Sequence, residues 1–168
     1  MVGDIILSGK PTRIRPYKSG DAGGVIEIMR EVFIYEYGWS PLFLREAIIT
    51  LRKMLMTMLP SVELFLVCES EEGLCGVMFL KRADKDTVFV RWLVVKKEFR
   101  KRGIGRGMLD MALKFSRDVG YRRVKLNTVG ELHRAMELYR SAGFLEIGRE
   151  EKRLWKMDMT IHYLEMDL

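Results

Sequence analysis

Apolar and polar positions along the chain alternate between two periods, and the switches mark its elements. Residues 12 to 17, "TRIRPY", alternate in the manner of a half-buried strand. Asp21 then suits the cap of a helix whose apolar residues Val25, Ile28, Met29, Val32 and Phe33 recur at helical spacing. "YGWS" breaks that pattern, and Ser40-Pro41 restarts it, with a serine cap and a proline in the first turn; the second helix runs to about residue 58 and Pro60 ends it. Three strand runs follow, "VELFLVCE", "GLCGVMFLKR" and "DTVFVRWLVV", separated by short polar turns as in an antiparallel meander. The third is apolar on both faces except for Arg91, which predicts a central strand.

Beyond a glycine-rich stretch, Ile104, Met108, Met111, Ala112, Phe115 and Val119 mark one helix face, and Gly120 sits where a left-handed cap would close it. "RRVKLNT" predicts a strand, residues 131 to 141 a helix, and "FLEIG" and "IHYLEMDL" two last strands. The mixed-charge "GREEKRLWK" between them is expected to be a solvated loop. The order βααβββαβαββ predicts an α/β fold with one mixed sheet flanked by helices.

Composition narrows the setting. At 168 residues the chain is expected to form one domain spanning 1–168, with no repeat and no linker. No apolar stretch is long enough for a membrane helix and the start lacks a signal-peptide pattern, so a cytoplasmic protein without a membrane partner is expected. Cys68 and Cys75 fall in apolar segments at no metal or redox spacing and read as core thiols; His133 and His162 lack companion ligands, so no metal site is expected. The chain has no glutamine and one asparagine, Asn127, a depletion seen in proteins from hot environments, although twelve methionines argue the other way. A hot origin predicts a melting midpoint above the mesophile range of about 45 to 65 °C.

The net charge of +6 raises nucleic acid and phosphorylated small molecules as partners. Its densest cluster is Lys96, Lys97, Arg100, Lys101, Arg102 and Arg106, interleaved with glycines in "EFRKRGIGRGML". That compactness favours a phosphate site over a nucleic-acid footprint. Glycines between a strand and a helix let consecutive N–H groups converge on an anion where the helix dipole also acts. A P-loop would need Lys and Ser or Thr after its last glycine, where Met108 and Leu109 stand, and a dinucleotide fingerprint would need glycine at Met108.

Arg100-x-x-Gly103-x-Gly105 resembles the pyrophosphate signature Q/R-x-x-G-x-G/A of the GNAT acetyltransferase superfamily, and "ELYRSAGF" resembles its later LY-x-x-x-GF element. The resemblance runs from about residue 12 to 168, and "EYGWSPLF", "GYRRVKLNT" and "HYLEMDL" are similar to the acetyltransferase domain often fused to MarR-type regulators. It implies a GNAT-like, mostly antiparallel sheet and an N-acetyltransferase using acetyl-CoA as co-substrate. Leu93, Val94 and Val95 would present main chain to the pantetheine arm. Arg100 and the amides of Lys101, Arg102, Gly103, Ile104, Gly105 and Arg106 would hold the pyrophosphate. Tyr139 would protonate the leaving thiolate, which suits a phenol of pKa near 10 facing a thiol near 8.5. Asn127 reads as a strand-end residue bonding nearby backbone, with a cofactor contact as its alternative role.

The family's usual asparagine falls at Leu132, and the glutamate some members use as base falls at Asn127. No carboxylate lies in residues 87 to 95, so the base stays unassigned: a free amine, or water leading to Glu31, Glu36 or Glu46. The acceptor is a small-molecule or peptide amine attacking directly, since no nucleophilic Ser or Cys motif is present. A non-catalytic acyl-CoA-binding or sensing domain of the same fold is the alternative. Phe33, Tyr35, Tyr37 and Trp39 read either as core or as an acceptor wall. Met54, Met56 and Met58 spread round their helix, which core packing explains; a covering substrate or a second subunit in a homodimer is the alternative.

Overall fold

The computed structural model describes residues 11–168 and shows a seven-stranded sheet in the order β1-β2-β3-β4-β5-β7-β6. The strands are β1 (Thr12–Pro16), β2 (Leu64–Ser70), β3 (Gly73–Arg82), β4 (Thr87–Val95), β5 (Arg123–Val129), β6 (Leu145–Leu154) and β7 (Met157–Asp167); only β4 and β5 pair in parallel. Helices α1 (Ala22–Met29) and α2 (Pro41–Thr57) cover one face, and α3 (Ile104–Val119) and α4 (His133–Ser141) the other. The predicted mixed α/β sheet, its strand and helix order and the central place of β4 are therefore present.

Strand alternation divides the core in two. On β2, Leu66 and Cys68 point into the α3/α4 layer, whereas Phe65 and Val67 point into the α1/α2 layer, all four at most 2% exposed. Ser40 accepts from the Leu42 N–H at 3.3 Å with Pro41 next to it, and Gly120 closes α3 at φ 95°. Both cysteines are free and buried, and the Cys75 thiol donates to the Cys68 carbonyl at 3.3 Å.

Four expectations change. Asp21 stands at the α1 cap, but its carboxylate takes the Lys18 N–H and both Arg15 terminal nitrogens instead of α1 amides. The first helix continues past Met29 as a π-helix over Arg30–Glu36, which apolar spacing alone does not distinguish from an α-turn. The fourth helix begins at His133; Glu131 lies before it and accepts the Trp39 indole N–H. "GREEKRLWK" is no loop: Arg149 to Leu154 pair with β7 from His162 to Met157, and Trp155 and Lys156 form the turn at φ 51° and 64°. Its residues are exposed on both faces, so no hydrophobic alternation announces the strand, and the charges guard a free sheet edge. Of the three methionines, Met54 is core and Met56 is 84% exposed.

The Arg15 pair supplies a pH prediction. Arg15, and secondarily the Lys18 amide, hold the Asp21 carboxyl below the usual carboxylate range despite burial. Because the folded value is depressed, this stabilisation is complete above the unfolded value of about 3.9 and vanishes as pH falls through the folded one. Asp21→Asn should lower stability at pH 7 yet flatten its loss below about pH 4. Urea midpoints at both pH values check it.

Candidate functional site

The site arises where two central strands part. The β4–β5 ladder runs from Thr87↔Arg123 to Val90↔Leu126 and stops. Beyond it β4 stays with β3 as far as Val95, while β5 stays with β7 as far as Val129. A bulge in β4 accompanies the parting: Phe79 pairs Arg91 and Val77 pairs Val94, so β4 carries one extra residue, with Trp92 at φ 53°. The extra residue exchanges the faces. Before it Val88 and Val90 enter the α3/α4 layer; after it Leu93 and Val95 do, and Val94 turns to the α1/α2 layer.

A cavity of about 380 Å³ opens at this splay. It is lined by the β4 end (Leu93, Val94, Val95), the turn entering α3, Leu138 and Tyr139 of α4, and Val32, Phe33 and Tyr37 in and just after the π-helical segment. Of the predicted residues it brings together Leu93, Val94, Val95, Arg100, Lys101, Gly103, Ile104, Gly105, Arg106 and Tyr139. Two lie outside it. Asn127 is exposed on β5, beside Lys125, Phe89 and Tyr163 in a separate depression. Arg102 turns its guanidinium over the Phe99 ring at 5.1 Å and donates to the Glu98 carbonyl at 3.0 Å.

The glycine turn has the backbone that an anion cradle needs. Lys101 and Gly103 both take left-handed φ values, 60° and 79°, and Gly103 is the residue immediately before α3, whose sixteen residues direct their dipole at the turn. At Gly105 a Cβ would meet the Leu138 side chain at 3.4 Å, an ordinary contact, so the space beside α4 does not by itself demand glycine here. Lys101 and Arg106 line the cavity; Arg106 also reaches Asp110 at 2.9 Å, with both side chains about half exposed and open to exchange for another anion. Arg102 Nη1 is the one buried side-chain nitrogen in this turn without a partner. The positive φ values, the aligned helix and the Lys101 and Arg106 side chains lining the cavity fit a diphosphate.

Tyr139 is 5% exposed, its ring edge-on to Phe144 at 5.8 Å. Burial alone pushes its phenol well above the ordinary range. The hydroxyl therefore keeps its hydrogen in the physiological range and is available to donate it. None of the three candidate base carboxylates is free: Glu31 holds Lys96 at 2.9 Å, Glu36 holds Arg100, and Glu46 accepts the Trp155 indole at 2.7 Å. Glu137 lines the cavity and escaped sequence reasoning. Of the aromatic cluster, Phe33 and Trp39 are core, Tyr37 and Phe33 form cavity wall, and Tyr35 is 71% exposed. Trp155, from the unforeseen hairpin, stacks on Trp39 at 5.5 Å.

The splayed central pair, in a mostly antiparallel sheet with a basic left-handed turn at its mouth, belongs to a fold shared with solved GNAT acetyltransferases. Residues 25–144 match the Acetyltransferase (GNAT) family, and the chain belongs to that family. It is 33% identical over 103 residues to human N-acetyltransferase 8 and, equally, to human N-acetyltransferase 8B. Each match covers 58% of this chain and 45% of the relative, so the chain spans less than half the length of these relatives. Among solved structures, a GNAT acetyltransferase from Staphylococcus aureus Mu50 superposes with TM-score 0.77 at 20% identity, covering 93% of this chain and 98% of that one. The Salmonella typhimurium acetyltransferase yncA, solved with its cofactor acetyl-CoA, gives 0.70 at 15% identity over 93% of each. These likenesses are of fold. Among the described residues no helix is long and apolar enough to cross a membrane, and no cluster of His, Cys, Asp or Glu could hold a metal ion.

Proposed function

We propose that the chain is an N-acetyltransferase that moves the acetyl group of acetyl-CoA to an amine by direct attack. The observation that carries this is the single cavity joining the splayed β4 backbone, the left-handed basic turn and Tyr139. Acetyl-CoA would supply an activated thioester. The amides from Lys101 to Arg106, with the Lys101 and Arg106 side chains, would hold its diphosphate, and the backbone from Leu93 to Val95 would align the pantetheine arm. Tyr139 would donate its hydroxyl hydrogen to the sulfur as the carbon–nitrogen bond forms and the carbon–sulfur bond breaks, and the proton that the attacking amine sheds to solvent water would restore the phenol. The burial that weakens this phenol as an acid disfavours a naked thiolate beside it as well, so the two stay matched. Asn127, outside the cavity, has no part in this reading. The acceptor is an amine on a small molecule or peptide, entering past Phe33 and Tyr37. Kinship with the MarR-fused acetyltransferase domain rests on the three quoted segments and adds nothing to the chemistry.

Ligand linkage tests the donor. Acetyl-CoA at a hundred times its dissociation constant stabilises a folded protein by about 2.7 kcal/mol, a shift of several degrees in melting temperature. Double-stranded DNA at equal mass should produce no such shift. A rise with DNA and none with acetyl-CoA would remove the assignment, and a thiol-release screen across amine classes would then define the acceptor.

A further inference from the structure

The π-helical segment Arg30–Glu36 carries two carboxylates, Glu31 and Glu36, five residues apart. In an α-helix that spacing would put them about 140° apart around the axis; a π-turn, closed every five residues, returns them to one side. The Tyr37 N–H bonds the Val32 carbonyl at 3.0 Å, a five-residue closure. Opposite them, the turn after β4 presents Lys96 and Arg100. Glu31 Oε1 meets Lys96 Nζ at 2.9 Å, and Glu36 accepts from both Arg100 terminal nitrogens at 2.5 and 2.7 Å. Arg100 Nε donates to the Val95 carbonyl at 2.8 Å, so all three guanidinium nitrogens are engaged. The Arg100 and Glu36 side chains are only 16% and 21% exposed, which makes this fork stronger than an open surface pair.

The same segment turns Val32, Phe33 and Tyr37 into the cavity. The same stretch thus supplies the proposed acceptor wall and grips the proposed donor turn. We infer that Arg100 is a positioning residue: with Glu36 it locks the acceptor wall to the donor turn, and it is not a side-chain ligand of the diphosphate. The second half rests on reading the cavity as the acetyl-CoA site. The signature arginine serves geometry between the two substrates' binding elements, and phosphate binding falls to Lys101, Arg106 and the amides.

Two measurements on the full chain test this. Amide hydrogen exchange within residues 30 to 39 should quicken about tenfold in Glu36→Gln and in Arg100→Met, with no further gain in the double variant and no change in β2. Arg100→Lys, which keeps the charge without the fork, should behave as Arg100→Met and serves if that variant folds poorly. Calorimetry should give Glu36→Gln an acetyl-CoA dissociation constant within about twofold of the wild type. Tightening beyond about fivefold in Glu36→Gln would show the freed guanidinium moving to phosphate, and would overturn the inference. Unchanged exchange in residues 30 to 39, or additive gains in the double variant, would overturn the lock itself. If the wild type fails to bind acetyl-CoA, the donor assignment falls, while the exchange results still decide the lock.

Discussion

Tyr139→Phe should lower turnover of acetyl-CoA by about a hundredfold or more, the usual contribution of a positioned general acid. The variant keeps the ring, so its edge contact with Phe144 and its place in the α3/α4 core persist. Only the hydroxyl is lost, and among the described residues it contributes to no hydrogen bond that holds the fold together. Stability and acetyl-CoA affinity should therefore change little, and the loss should appear in kcat with KM for acetyl-CoA nearly constant. The raised phenol adds a pH signature: no decline in kcat from ionisation of Tyr139 should appear below about pH 10, the solution value. Steady-state thiol release across pH measures both. Full retention of kcat would remove Tyr139 from the chemistry and leave it a core aromatic.

Elements that pack one face on a core were legible in the sequence, because burial imposes a period. β3 occupies the predicted run from Gly73 to Arg82, and the Ser40-Pro41 and Gly120 boundaries lie at their predicted ends. The glycine turn was legible because positive φ demands a particular residue type, although Lys101 adopts such a φ without being glycine. Features set by tertiary partners were not. β6 is held by β7 and shows no pattern of its own. The β4 bulge comes from the mismatch between β3 and β4, and Trp92 carries no local sign of it. The π-turn has an apolar spacing indistinguishable from that of an α-helix. The five-residue interval between Glu31 and Glu36 matches the four-residue interval between Lys96 and Arg100 only once the two segments meet. The candidate site divides likewise: the glycine turn, and Phe33 and Tyr37 as core or wall aromatics, were legible as residue types, whereas the Glu31–Lys96 and Glu36–Arg100 pairs that bring the two segments together join residues more than sixty apart in sequence.

Glu63 shows how far a charge can sink without announcing itself. It stands in the run "VELFLVCE", where it reads as the polar member of a strand, yet it is 1% exposed and lies just before β2. Its oxygens accept the Leu59 N–H at 2.9 Å, beyond the end of α2, and the Arg82 N–H at 3.2 Å, at the end of β3, and they pair with Lys81 at 2.9 Å. One carboxylate thus ties the α2–β2 connection to β3. Glu63→Ala removes the acceptor of two backbone donors and the ion partner of Lys81, which is one-third exposed and keeps the Thr57 carbonyl at 3.3 Å. A fully buried orphaned donor costs about 1 to 3 kcal/mol; these two are part-buried and sit at the lower end of that range, while Lys81 recovers part of its hydration and the lost ion pair adds to the total. The expected loss is about 3 kcal/mol, or roughly 10 °C in melting temperature for a chain of this size. Glu63→Gln, which keeps an acceptor oxygen, should lose about half as much. Urea unfolding of both variants should move the midpoint without changing the slope, since the exposed surface on unfolding is the same. Acetyl-CoA should still raise the melting temperature of both by the wild-type increment, because Glu63 lies away from the cavity. Wild-type stability in Glu63→Ala would mean that water replaces all three contacts and that this buried charge holds nothing in place.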